Sequence, residues 1–255
     1  MLVDHVEYKE QLKSYEEIYC SAVEAQMHGP AVASIAVGKT VGVAPEADLY
    51  YIASSFGTSN EEGFIYELSW VAKAIDRIVE INSTLSQGNK IRVISISLGI
   101  GSHMNGYKEA LTSIENAKKE GIDTLYVGSR EYMGLGRDSL RDPDDNTSYS
   151  KGNYWKSGIY NNQSLLIPMD SRCYASPTGI HDYEFSKHGG MSWTVPYIAG
   201  LYALACQVDP EMTPGLFWLE VNSTSDTVSV DNSNQEKLGK IINPVKLIER
   251  IQKTK

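Results

Sequence analysis

The sequence predicts an α/β fold, a three-layer sandwich in which helices cover both faces of a mostly parallel central sheet. Short apolar runs alternate with segments of helical periodicity, which is the pattern of stacked βα units. Apolar residues make up 42% of the chain and charged residues 22%, a balance that suits a globular core. The length of 255 residues is ordinary for one such domain, so we predict a single domain over 1–255.

The first half of the chain supplies most of the predicted sheet. Residues 47–53 read as a strand, and 61–86 are predicted to be a helix because apolar residues recur there at helical spacing. A strand over 91–98, a helix over 107–120 ended by Gly121, and a strand over 124–127 follow. Strands that alternate with helices in this way predict parallel pairing and covered faces.

The second half begins with a long segment that has no periodicity. Residues 130–163 are rich in Gly, Asp, Asn, Ser and Tyr, and a loop of this length in a compact domain is usually functional. An apolar run at 165–169 marks the return of ordered structure after this loop. A long apolar helix is then predicted over 192–208, and an amphipathic helix over 242–252.

Charge and composition exclude several function classes. The net charge is −9 and the chain has no block of Lys and Arg, so we predict no nucleic-acid partner. No apolar run approaches the ~20 residues of a membrane helix. The cysteines, Cys20, Cys173 and Cys206, are scattered and odd in number, which argues against a disulfide framework and a zinc site. With no leader-like pattern in residues 1–5, these features favour the cytoplasm.

His28 is a candidate general base. It precedes Gly29 and Pro30 at the start of an apolar helical stretch, where proline suits the first turn. A histidine at a helix N-terminus has a lowered tendency to carry charge, as a base near neutral pH requires. The alternative is a capping or surface histidine.

Ser192 is a candidate nucleophile. Gly189 and Gly190 precede it, and it opens a predicted helix whose free N–H groups and dipole favour nearby negative charge. Its own backbone N–H is placed to help hold an oxyanion. The alternative is a serine that only caps the helix.

Four motifs in order resemble those of the subtilisin-like serine proteases, the subtilases. They occupy 28–35 (HGPAVASI), 41–49 (VGVAPEADL), 94–99 (ISISLG) and 190–196 (GMSWTVP). The chain departs from the family patterns His-Gly-Thr-x-Val-Ala and Gly-Thr-Ser-Met-Ala-x-Pro. Pro30 and Met191 replace threonines, and Trp193-Thr194 replaces Met-Ala.

The resemblance implies a subtilisin-like fold and a serine endopeptidase acting on a peptide or protein substrate without a required cofactor. His28 takes the place of the general base and Ser192 that of the acylated nucleophile. The backbone of Ser97, Leu98 and Gly99 resembles the segment that pairs with the extended substrate. The oligomeric state is left open.

The family's catalytic aspartate has no clear counterpart. In the family it lies on an early strand within an apolar-Asp-Ser/Thr-Gly pattern ahead of the histidine. Here Asp4 precedes His28, but its neighbours do not match that pattern. We therefore expect the chain as given to begin just after the aspartate strand and to be weak or inactive. The alternative is that Asp4 itself orients His28.

Ser129 stands where the family places the asparagine that donates to the oxyanion, and Arg130 is a conceivable substitute donor. The loop carboxylates Asp142, Asp144 and Asp145 are calcium candidates, but no ordered ligand spacing supports them, so a solvated acidic loop is preferred. Two alternative functions remain open, namely a pseudo-protease that acts as a binding or regulatory module and an acyl-ester hydrolase.

Overall fold

The computed structural model describes residues 28–54, 56–60, 63–129, 132–149, 165–176, 181–229 and 237–254. Its helices are α1 (His28–Val37), α2 (Leu68–Thr84), α3 (Tyr107–Lys119), α4 (Met191–Val208), α5 (Pro214–Thr224) and α6 (Pro244–Lys253). Its strands are β1 (Gly57–Asn60), β2 (Gly63–Tyr66), β3 (Val93–Gly99), β4 (Asp123–Val127), β5 (Tyr132–Leu135), β6 (Leu165–Pro168), β7 (Arg172–Ala175), β8 (Tyr183–Ser186), β9 (Asp226–Ser229) and β10 (Lys237–Ile241). Short 3₁₀ turns occupy Gln87–Asn89 and Asn146–Tyr149.

Helices cover both faces of the strands. On one face, α2 and α3 form a buried cluster with Leu68, Ile75 and Ala110, against which Ile94 and Ile96 of β3 pack. On the other face, α4, α5 and α6 form a larger cluster with residues of β4, β5 and β6. The alternation along β3, with Ile94 and Ile96 on the α2 face, directs the intervening residues toward α4. The three-layer α/β architecture is confirmed.

The parallel strands form two ladders within the described residues. β3 pairs with β4 in parallel, while β5, β6 and β10 are parallel to one another and β9 joins β10 antiparallel. The Tyr132 hydroxyl donates to the Tyr126 carbonyl at 3.1 Å between the two ladders. Antiparallel hairpins β1/β2 and β7/β8 complete the pairing. The predicted continuous sheet is therefore divided here into two parallel pieces beside α4.

Most predicted elements are present with shifted ends. The strands β3 and β4 and the helices α3, α4 and α6 lie within a few residues of the prediction, and the apolar run at 165–169 contains the strand β6. As predicted, α3 ends just before Gly121, whose N–H donates to the Lys118 carbonyl at 3.0 Å. Proline opens both α5 and α6 after capping residues, since Thr213 Oγ1 accepts from Leu216 N and Asn243 Oδ1 accepts from Lys246 N.

Three sequence predictions are wrong. Residues 47–53 form no strand, because none of the described strands pairs with their backbone. Tyr51 in this segment is 36% exposed. The helix predicted from 61 begins at Leu68, since Phe64 and Ile65 lie on the exposed antiparallel strand β2. Within the segment predicted as a loop, β5 is a mostly buried parallel strand whose four residues were too few to show a period.

Close packing brings α1 against α4. A Cβ at Gly200 of α4 would lie 2.7 Å from Val43 Cβ and 2.9 Å from the Ala36 carbonyl oxygen. Only a residue without a side chain lets the two helices approach this closely. The first turns of α1 and α4 carry His28 and Ser192, so this packing brings the two candidate residues into one region. Among the described residues, no helix is long and apolar enough to span a membrane.

Candidate active site

His28 is the first residue of α1, as the sequence predicts. Burial lowers the pKa of its imidazole below the ordinary value of 6.5, because desolvation disfavours the charged form. The ring is therefore largely neutral near pH 7, which is the state in which a histidine can accept a proton.

Ser34 ties the helix of His28 to a neighbouring strand. Its hydroxyl donates to the Ala31 carbonyl at 2.7 Å and accepts from the Ala175 N–H of β7 at 2.9 Å. The side chain thereby fixes α1 relative to β7. Sequence reasoning quoted Ser34 in the histidine motif without assigning it this role.

Ser192 is the second residue of α4, whose N-cap is Gly190 in an extended conformation. The Trp193 N–H in this first turn donates to the Gly190 carbonyl at 2.9 Å, while the N–H groups before it have no acceptor within the helix. The chain reaches the serine through a very tight passage, since a Cβ at Gly189 would lie 1.5 Å from the Met169 carbonyl oxygen. Gly189 is therefore explained by close backbone approach.

Ser97 and Ser192 are joined by two hydrogen bonds. The Ser97 hydroxyl donates to the Ser192 carbonyl oxygen at 2.8 Å, and the Ser192 hydroxyl donates to the Ser97 carbonyl oxygen at 3.4 Å. The β3/β4 register shifts between Ile96 and Gly99, so the ladder is irregular at Ser97 and Leu98. Irregularities of this kind are common beside active sites because they re-aim the backbone.

Trp193 connects the serine turn to the histidine. Its ring stacks on His28 with centroids 5.6 Å apart, and on Tyr174 of β7 with centroids 5.1 Å apart. His28 therefore lies against the residue that follows Ser192. In the described part of the chain, no hydrogen bond joins the Ser192 hydroxyl to the His28 imidazole, since that hydroxyl is directed to Ser97. The sequence contained a signal for this stack, because Trp193 stands where the family's serine motif has methionine.

Ser129 is the second residue after β4, beyond the carboxyl end of the strand. Its N–H donates to the Tyr126 carbonyl at 2.9 Å, while its side-chain hydroxyl is buried and has no hydrogen-bond partner among the residues that the structure describes. A buried hydroxyl without a hydrogen-bond partner lowers the stability of the fold unless another group bonds to it. Arg130 lies outside the described residues.

The acidic loop is organised by local contacts. Asp142 Oδ1 accepts from the Asp144 N–H at 2.9 Å, and the Asp145 carboxylate is 3.8 Å from the Arg141 guanidinium. Over the stretches for which the structure gives positions, no group of three or more His, Cys, Asp or Glu is arranged to hold a metal ion. Asp4, the alternative partner of His28, lies outside the described residues.

The profile of the peptidase S8 family, described as the subtilase family, matches residues 4–234. The chain belongs to the subtilase family. The resemblance predicted from the four motifs is confirmed, and this subtilase is a protein of the serine-protease type. A search of curated proteins returns no significant match.

Solved structures with the same fold include several proteases and related enzymes. This subtilase is similar to the subtilase cytotoxin SubAB, with a TM-score of 0.58 and 16% identity over 89% of this chain and 77% of that chain. It is also similar to the PatG macrocyclase in complex with peptide (TM-score 0.55, 12% identity, 98% and 75% covered) and to a mutant of the PatA protease domain (TM-score 0.52, 17% identity, 92% and 85% covered). At these identities the likeness shows the fold.

Proposed function

We propose that this subtilase is a serine endopeptidase in which Ser192 is the nucleophile and His28 the general base. The observation that carries the proposal is the contact between the first turns of α1 and α4, where the ring of His28 stacks on the residue following Ser192. Family membership and the lowered pKa of His28 agree with it.

The reaction would proceed through an acyl-enzyme. Ser192 Oγ attacks the scissile carbonyl carbon while its proton passes to His28. The leaving amine takes that proton as the C–N bond breaks, and the acyl group remains on Ser192 as an ester. Water, deprotonated by His28, then attacks the ester carbonyl carbon, and His28 returns the proton to Ser192 Oγ as the C–O bond breaks and the acid product leaves. For the first step the Ser192 hydroxyl must turn from the Ser97 carbonyl toward the imidazole.

Ser129 is proposed as a donor to the oxyanion. Its buried hydroxyl has no partner in the described residues, so the side chain would turn toward the oxyanion without breaking an existing hydrogen bond. The backbone N–H of Ser192, in the first turn of α4, would supply a second donor. Removal of one such donor costs about a hundred- to a thousandfold in kcat in subtilisin, where the donor is an asparagine.

The substrate is proposed to be an extended peptide that pairs with the backbone of Ser97, Leu98 and Gly99. Within the described residues, β3 carries a ladder on one side only, with β4, and that ladder is irregular at Ser97 and Leu98. A peptide added beside such a strand gains backbone hydrogen bonds. The proposed chemistry requires no metal or cofactor, and a cytoplasmic location stays a prediction.

The experiment that tests this function is active-site labelling with a fluorophosphonate, followed by intact-mass analysis. We expect one adduct to form slowly on the wild-type chain, because the family's catalytic aspartate has no clear counterpart here. Ser192→Ala should give no adduct, and Ser95→Ala, a control on the exposed part of β3, should label at the wild-type rate. His28→Ala should slow labelling by several orders of magnitude, because the base is lost.

The same experiment separates the alternatives. A folded wild-type chain that takes no adduct would contradict the proposal and support a pseudo-protease that binds peptides. If the adduct forms, turnover of activated esters without cleavage of any peptide in a diverse library would instead indicate an acyl-ester hydrolase.

A further inference from the structure

Pro196 removes a helix hydrogen bond at the position of the nucleophile. It is a buried residue inside α4, four residues after Ser192. In an α-helix the N–H of a residue donates to the carbonyl four positions earlier, and proline has no N–H. The Ser192 carbonyl consequently has no donor from its own helix at this position.

Ser97 supplies the missing donor from another element. Its hydroxyl, on β3 and 95 residues away along the chain, donates to the Ser192 carbonyl oxygen at 2.8 Å. In return, the Ser97 carbonyl accepts from the Ser192 hydroxyl at 3.4 Å. The first bond holds the backbone of Ser192, and the second holds its side chain.

We propose that the Ser97 hydroxyl is a positioning group that replaces the helix bond lost at Pro196 and thereby fixes the backbone of Ser192. This inference rests on the proposed function, because it gives Ser97 a side-chain role in addition to the backbone pairing with substrate. The reacting oxygen of Ser192 is connected to this backbone through one side-chain torsion, χ1. A carbonyl free to tilt would therefore displace the hydroxyl relative to His28 and to the oxyanion donors.

The geometry also explains why the Ser97 hydroxyl, and no other hydroxyl of β3, reaches the Ser192 carbonyl. β3 lies directly beside α4, and the alternation of β3 turns Ser97 to the α4 face while Ile96 joins the cluster on the opposite face. Ser95, two residues earlier, has the same side-chain parity but is exposed. The hydroxyl that reaches the freed carbonyl is therefore a specific one, and Ser95 provides a matched control.

The test is a double-mutant cycle with Ser97→Ala and Pro196→Ala. Ser97→Ala removes the donor from β3, whereas Pro196→Ala restores an N–H to the helix at the position that faces the Ser192 carbonyl. We expect Ser97→Ala to slow fluorophosphonate labelling roughly tenfold to a hundredfold, as a displaced nucleophile should. The double variant should recover most of the wild-type rate, and Ser95→Ala should not change it.

A spectroscopic readout reports on the carbonyl without requiring activity. The sequence contains two Ser-Trp pairs, 69–70 and 192–193, so labelling with carbonyl-¹³C serine and ¹⁵N tryptophan gives two correlations in a two-dimensional H(N)CO spectrum. The correlation of Trp193 reports the Ser192 carbonyl and that of Trp70 is an internal reference. We expect the Ser192 carbonyl to shift upfield in Ser97→Ala and to return in the double variant, with the reference unchanged.

The outcomes separate this inference from the proposed function. A labelled wild type whose rate and Ser192 carbonyl shift are both unaffected by Ser97→Ala would overturn the positioning role only. A Ser97→Ala defect that Pro196→Ala does not relieve would overturn it as well, because the missing helix bond would not be the cause. A wild type that takes no adduct would overturn the proposed function and, with it, the role of Ser97 in catalysis.

Discussion

Three stacked rings organise the candidate site at the scale of residues. The rings of His28, Trp193 and Tyr174 come from α1, α4 and β7, and Trp193 lies between the other two. A flat indole against the imidazole limits the orientations that the histidine can adopt, and it shields one face from water. This contact accounts for part of the burial that lowers the pKa of His28.

The first prediction concerns the pH dependence of labelling. Only neutral His28 can accept the Ser192 proton, so the rate should rise with pH and reach half its plateau at the pKa of His28. Because burial lowers this pKa, we expect the midpoint below pH 6.5. Fluorophosphonate labelling rates measured across pH 4.5 to 8 would show it. The exposed His181, changed to alanine, serves as the control, and a midpoint above 6.5 would contradict the prediction.

The second prediction concerns Trp193. Trp193→Ala should expose the His28 imidazole to water, which relieves desolvation and raises its pKa toward the ordinary value. Trp193→Phe keeps a ring over the histidine and should raise the pKa less. Imidazole NMR titration measures both, with His28→Ala identifying the resonance. A pKa that stays the same or falls in Trp193→Ala would show that the stack does not bury His28.

At the scale of elements, the site depends on how closely α1 approaches α4. Gly200 permits the contact, and Ser34 connects α1 to β7. Neither residue takes part in the proposed reaction. Both nevertheless help to set the positions of the first turns of α1 and α4. The approach of these helices therefore sets the distance between the candidate residues His28 and Ser192.

The third prediction tests that approach. Gly200→Ala would place a Cβ 2.7 Å from Val43 Cβ and 2.9 Å from the Ala36 carbonyl, so α1 must move. We expect the free energy of unfolding to fall by about 1–3 kcal/mol, as overpacking does, with slower labelling of Ser192. Urea denaturation and labelling measure the two effects.

The matched control is Gly215→Ala in α5, where nothing lies within 4 Å of the new Cβ. It should leave labelling unchanged and leave stability unchanged or slightly increased, because alanine favours a helix over glycine. Equal effects of the two substitutions would contradict the packing argument.

Predictions made from sequence succeeded for elements with long or strongly apolar patterns. The helix at 191–208 and the strand at 93–99 were predicted because their own residues carry the signal. The hairpin at 57–66 and the strand at 132–135 were missed because strands of four residues show too few periods. Residues 47–53 have the composition of a strand, but strand formation requires a neighbour that sequence does not reveal.

At the scale of the whole molecule, one core joins the two parallel ladders. Leu125 of the first ladder and Leu165 and Ile167 of the second pack in the same cluster as α4, α5 and α6. The Trp218 indole N–H of α5 also donates to the Asp123 carboxylate of β4 at 2.8 Å. Since the ladders share these partners, we expect the described fold to unfold as one cooperative unit. The single-domain boundary at 1–255 stays a prediction.

The fourth prediction tests this shared core. Phe217 is fully buried against Tyr202, with ring centroids 4.7 Å apart. Phe217→Ala should lower the free energy of unfolding by about 3–5 kcal/mol, with an unchanged denaturant m-value if unfolding remains two-state. Far-UV circular dichroism in urea measures both quantities.

Leu219 in the same helix provides the control, because it is 65% exposed. Leu219→Ala should change the free energy of unfolding by no more than about 0.5 kcal/mol. A second transition in Phe217→Ala, with one ladder unfolding before the other, would show that the core does not couple them.

The family, the α/β class, and the candidate residues His28 and Ser192 at the starts of two helices can all be predicted from the amino-acid sequence. These features depend on local patterns, so the spacing and type of neighbouring residues are sufficient to predict them. Only the tertiary structure decided that Ser97 donates to the carbonyl that Pro196 leaves free, and that Trp193 lies against His28. Periodicity reports which face of an element is buried, but it does not report which distant element covers that face. Such partners are fixed only when the whole chain has packed.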